Sequence, residues 1–266
     1  MQAINRTSST RKPAWKKFQK LNGAAMMLAV GLCMASTSAQ AAPIIIEDNY
    51  IGGSPTSPAY NNKDIIGNAS QFEVSKMEVS FASAHTMIVD VYSQYFNNIG
   101  DYYTRLGDLF LSTTGYQGDG EVWEYALKLD NYLPSSTTTS GVISLYSVLA
   151  TNIQYSFAPD NYIYRVGQEV QYKGIGQTAL ATGSWELNKI GGTTDTDDYL
   201  RFTIAYDFGD IDTYGLHWGM TCGNDVIEGA ATVPEPPTML LFGIGLIGLG
   251  GALRQRMQPN NDIRIK

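Results

Sequence analysis

Few residues in this 266-residue chain have the types and spacing for chemistry, and they are scattered. His85 and His217 are the only histidines. No Gly-x-Ser-x-Gly elbow accompanies them, so a Ser-His-Asp hydrolase has no local signature. Glu121 and Glu124 could be imagined as the paired carboxylates of a glycoside hydrolase, which stand roughly 5–9 Å apart across a sugar. Three positions apart on a strand they point to opposite faces and share a cleft only through a bulge. No catalytic residue is assigned, a non-enzymatic protein is expected, and glycoside hydrolysis is the alternative. Cys222 falls in phase with Leu216, Trp218 and Met220, which predicts a buried small hydrophobe rather than a nucleophile. His217 falls on the opposite face, solvated or turned toward a second sheet.

Two acidic clusters offer oxygen ligands. Asp195, Asp197 and Asp198 form one, and Asp207, Asp210 and Asp212 the other, flanking one strand so that they lie at opposite ends of a sheet. Neither follows an EF-hand loop. No metal is assigned to them; calcium is the one cofactor they could hold, and solvated turns are the alternative. Tyrosine is abundant at 17 copies. Tyr102, Tyr103 and Tyr116, like Tyr50 and Tyr60, sit in loops beside Gly, Asn and Ser, where phenol rings could stack on sugars or simply pack at a rim.

These residues must be positioned by strands. Alternation with a period of two recurs through Val122–Asp130, Leu200–Phe208 and Leu216–Cys222. Shorter candidates are Phe72–Phe81, Thr86–Tyr95, Leu106–Ser112, Val142–Leu149, Asn152–Phe157, Tyr162–Val166, Glu169–Tyr172 and Ser184–Asn188. A phase slip near Ser75–Lys76 suggests a bulge or a strand boundary. Turn residues such as Gly115, Pro134 and Pro159 punctuate the runs. Many short strands without amphipathic helices predict an all-β protein, an antiparallel sandwich or jelly roll in a single domain over residues 42–232.

The two ends differ from this body. Arg11, Lys12, Lys16, Lys17 and Lys20 precede an apolar stretch, Gly23–Met34, and Ala39-Gln40-Ala41 is a small-x-small cleavage site: residues 1–41 read as a signal peptide helix for general secretion. Leu32 before Cys33 argues against lipidation. Removing the signal leaves Cys222 as the only thiol, so no internal disulfide can form. At the other end Val233-Pro234-Glu235-Pro236 precedes an apolar run, 237–253, and Arg254-Gln255-Arg256. Seventeen residues at about 1.5 Å each barely cross a hydrocarbon core of roughly 30 Å. Arg254 and Arg256 would hold the C-terminus on the cytoplasmic side, leaving 259–266 as a short polar tail. Between the ends the body keeps 8 basic and 23 acidic residues, a net charge of −15, which repels nucleic acid.

The order Pro-Glu-Pro, short transmembrane helix, basic cluster resembles the PEP-CTERM sorting signal over residues 233–258. The resemblance implies recognition of Pro234, Glu235, Pro236, Arg254 and Arg256 by an exosortase, transient anchoring in the inner membrane, and delivery to the cell surface or extracellular matrix. It makes extracellular polysaccharide the expected partner, with a lectin-like module as the alternative role. Leu106–Thr113, Glu121–Leu127, Tyr162–Val170 and His217–Gly229 also look like segments recurring in secreted proteins with this tail, a likeness that implies no activity.

Overall fold

The computed structural model describes residues 41–83, 85–118, 121–135, 137–189, 197–233, 245–247 and 249. Ala39, Asp195, Pro234, Glu235, Pro236, Arg254 and Arg256, the signal helix, and most of the 237–253 segment lie outside the described residues. Among those described, no helix is long and apolar enough to cross a membrane.

The body is all-β and antiparallel, as the alternation predicts. Its strands are β1 (Ile44–Glu47), β2 (Val74–Ser83), β3 (Thr86–Ser93), β4 (Leu109–Ser112), β5 (Tyr125–Leu129), β6 (Ser140–Ser147), β7 (Ile153–Tyr155), β8 (Glu169–Tyr172), β9 (Ala181–Asn188), β10 (Tyr199–Ala205), β11 (Thr213–Gly219) and β12 (Val226–Thr232). Ten of them form one sheet in the order β1-β2-β3-β10-β9-β6-β5-β4-β11-β12, and β7 pairs with β8 in a second. The large sheet curls until its edges meet and is nearly closed into a barrel. At the seam a Cβ on Gly229 of β12 would lie 2.4 Å from the Cγ2 of Ile46 in β1, so only glycine lets the edges approach. Closure removes the exposed edges that make open sheets prone to aggregation.

The inward residues form the core. Met77, Val79, Val89, Val91, Leu127, Leu129, Leu200, Phe202, Leu216 and Trp218 are all buried there, each aliphatic or aromatic side chain contributing about 1.5–3 kcal/mol by burial. Outside the wall a smaller cluster of Phe110, Trp123, Ala126 and Tyr172 lies beneath the β7–β8 pair. The covered strand β11 is therefore buried on both faces.

Two bulges set the phase. The β2–β3 register shifts between Val74 and Lys76, which accounts for the slip in the sequence pattern. Tyr125 pairs with Leu111, whose carbonyl also receives the N–H of Glu124 at 3.1 Å, so two residues oppose one. Trp123 consequently packs in the outer cluster while Leu127 and Leu129 face the core. This corrects the expectation of one regular strand from Val122 with Trp123 and Leu127 on a shared face. Residues 162–166 form no strand, contributing only an isolated bridge at Arg165.

Candidate functional site

Loops at the end of the barrel where β2 and β12 begin and β3 and β11 finish enclose a cleft of about 400 Å³. Its wall takes rings from Tyr60, Phe72, Tyr102 and Tyr162 and amides from Asn68, Gln71, Asn161 and Asn224. A helical turn, Ala69–Phe72, supplies Gln71 and Phe72; its start is capped by the Asn68 carboxamide oxygen, which accepts from Ser70 N–H at 3.1 Å. Tyr102 stands edge-on to Tyr162, centroids 5.7 Å apart, and tilted against Phe72 at 6.0 Å. Both Tyr102 (φ 54°) and Asn161 (φ 78°) hold the left-handed backbone that non-glycine residues avoid. Asn224 is only 7% exposed, and its Oδ1 has no hydrogen-bond partner among the described residues. Cys222 shares this wall; it is buried, and burial pushes its thiol up to about 12, as expected of a packed thiol and not a nucleophile.

Beside the cleft, three loops bring Asp48, Asp64 and Asp225 together with carboxylate oxygens within 4.8 Å of one another. Burial and mutual repulsion raise the pKa of Asp48 and of Asp225 well above the ordinary carboxylate range. Asp225 accepts the N–H of Val74 at 2.6 Å and of Val226 at 3.1 Å, whereas Oδ2 of Asp48 is buried without a partner among the described residues. Arg165, 1% exposed, spends its guanidinium on the carbonyls of Gly53, Lys63, Asp64 and Gly223, stapling the same loops together. Of the described residues these three aspartates are the group that could hold a metal ion, although a hard cation needs further oxygens. They are separated by 16 and 161 positions in the chain, so no spacing signals them.

A third polar group lies under β7–β8. His217 is wholly enclosed, its Nδ1 2.9 Å from Oε1 of Glu228 and its Nε2 2.7 Å from the carbonyl of Glu169. Burial opposes the imidazolium, but the bond to Glu228 and the charges of Glu228 and Glu169 outweigh it and raise the pKa. Both neighbours are acceptors, so the doubly protonated ring satisfies both. The histidine thus faces a second sheet, one of the two positions its phase allowed. Tyr116 donates its hydroxyl to the other Glu228 oxygen at 3.2 Å. Glu121, Trp123, Glu169 and Glu228 line a shallow opening of about 250 Å³ here. Burial raises the Glu169 carboxyl. With both Glu228 oxygens engaged, this arrangement fastens one sheet to the other.

The residues singled out in the sequence are divided among these places. Tyr102 enters the cleft; Tyr103 is 72% exposed and outside its wall, and Tyr116 belongs to the His217 network. Asp198 is buried and accepts from Asn97 Nδ2 at 2.9 Å, while Asp197 is exposed. Exposed Asp207 accepts from Gly209 N–H and lies 3.5 Å from His85, and Asp210 and Asp212 are also exposed. Glu124 bonds Thr113 and Thr114, and Glu121 bonds Gln117 N–H, so the two glutamates do not share partners.

An acidic antiparallel β-domain followed by a proline-rich break and a short apolar stretch defines the class of exported protein with a C-terminal sorting tail. Residues 232–256 match the family model of the PEP-CTERM protein-sorting motif, and the chain is a PEP-CTERM protein. The motif marks it for export and sorting toward the cell surface as a substrate of exosortase. No curated protein and no solved structure matches it.

Proposed function

We propose that this protein is a non-enzymatic component of the cell surface or extracellular matrix that associates with exopolysaccharide. The sorting motif at residues 232–256 carries the reading. In it the signal peptide directs general secretion, and the 237–253 segment holds the chain transiently in the inner membrane while exosortase acts. The β-domain then leaves as a disulfide-free, strongly acidic module. Its charge suits solubility outside the cell, and its closed sheet supplies the burial that cross-links would otherwise provide.

A lectin-like role is favoured as the molecular basis of matrix association by the cleft at the barrel end, where rings and amides alternate without an ionised side chain. Hydrolysis is disfavoured by the engagement of both Glu228 oxygens. The test is genetic and direct. In cells lacking the exosortase, the protein is expected to accumulate in the inner membrane and vanish from the matrix fraction. Undiminished delivery to the matrix without exosortase would overturn the reading.

A further inference from the structure

We propose that the barrel-end cleft is a binding site for an uncharged oligosaccharide, a ligand class that deepens, and rests on, the reading of a polysaccharide-associated surface protein. Sugar rings present apolar C–H faces and a rim of hydroxyls that both donate and accept. The cleft matches both: Tyr60, Tyr102 and Tyr162 offer ring surface for stacking, backed by the buried Phe72. Asn68, Gln71, Asn161 and Asn224 offer carboxamides, the side chains that donate and accept at once.

Three further observations point to a ligand. Asn224 is nine-tenths buried behind the wall and its Oδ1 lacks a partner among the described residues, so a turn of this carboxamide toward the cleft, bringing it to a sugar hydroxyl, removes that cost. Tyr102 bears left-handed strain at the mouth of the cleft, and strain of this kind collects at binding sites, while Asn161 takes the same backbone region in a turn, where asparagine is at ease. Among the described residues no Asp, Glu, Lys or Arg lines the wall, and the body around it carries 8 basic against 23 acidic residues. An anionic polysaccharide would be repelled on approach and find no cation inside. The volume of about 400 Å³ lies within the range of small-molecule sites and admits a short stretch of chain.

The experiment uses the full-length chain in a zwitterionic detergent without a sugar headgroup, titrated calorimetrically with cellohexaose, mannohexaose and chitohexaose, and with anionic oligogalacturonate. At least one uncharged hexasaccharide is expected to bind and oligogalacturonate is not. Tyr102→Gly relieves the left-handed strain but removes the ring's contacts with Phe72 and Tyr162, so folding is verified by a cooperative melt, and affinity should fall about tenfold or more. Asn224→Ala should lose affinity similarly, and Tyr103→Ala, outside the wall, should leave it unchanged. Absence of binding to all three uncharged sugars, equal binding of the anionic one, or unaltered affinity in a folded Tyr102→Gly would each overturn the proposal. Sorting is read separately, by delivery to the matrix, so a correctly sorted protein that binds no sugar would refute this site and leave the sorting reading standing.

Discussion

At the residue scale the barrel is tied together by ionisable groups kept from water. Asp108, fully buried, accepts from Leu129 N–H at 2.8 Å, Tyr172 N–H at 2.6 Å and the Tyr132 hydroxyl at 3.1 Å, and burial still pushes its carboxyl up to about 7. Asp48 is raised by burial and by the charge of Asp64, and Asp225 by burial and by the charges of Asp48 and Asp64. A carboxyl raised on folding favours the native state fully below its unfolded pKa, near 4, and that contribution is lost as pH rises through the folded value. His217, whose pKa is also raised, loses its contribution in the same direction above about 6.5. Thermal stability measured with a chelator present should therefore decline from mildly acidic through alkaline pH. Asp48→Asn should flatten the part of that decline between about pH 4 and 8, the interval between its unfolded and folded values, and an unchanged slope there would contradict the assignment. None of this clustering was legible in the sequence. The aspartates that looked like ligands were near one another in the chain, whereas the three that meet come from separate loops.

At the scale of elements, alternation located most strands, and Glu169–Tyr172 was found with the observed bounds. It failed for β12, whose burial on both faces through Val226–Gly229 leaves no alternation to see. It also misplaced Trp123, because a bulge changes phase without changing composition. Four segments of the body singled out in the sequence, residues 106–113, 121–127, 162–170 and 217–229, meet in space. Gly107 packs against the Gly219 and Val170 carbonyls, Trp218 Nε1 donates to the Gly107 carbonyl at 3.1 Å, and Asp108 N–H reaches the Val170 carbonyl at 2.8 Å. Glu169 hydrogen-bonds Trp123 and, through its carbonyl, His217. A Cβ at Gly107 would lie 1.9 Å from the Gly219 carbonyl oxygen, so Gly107→Ala should destabilise the fold by about 1–3 kcal/mol or more. A urea midpoint equal to that of the parent would refute the close approach.

At the scale of the whole molecule, destination and chemistry were legible to different degrees. The Pro-Glu-Pro break, apolar run and Arg254-Gln255-Arg256 sit in one contiguous stretch, so the sorting motif could be read directly and the family model agrees. The cleft draws its wall from residues 60 to 224, and only the loop position of Tyr60 and Tyr102 hinted at it. Folding supplies the rest by closing the sheet and gathering the loops at one end. If this β-domain is released from a transient anchor, the intact mass of the protein recovered from the cell surface or medium records it. The expected species begins at Ala42 and ends before the basic cluster at Arg254. A released protein that still carries residues beyond Leu253 would contradict it.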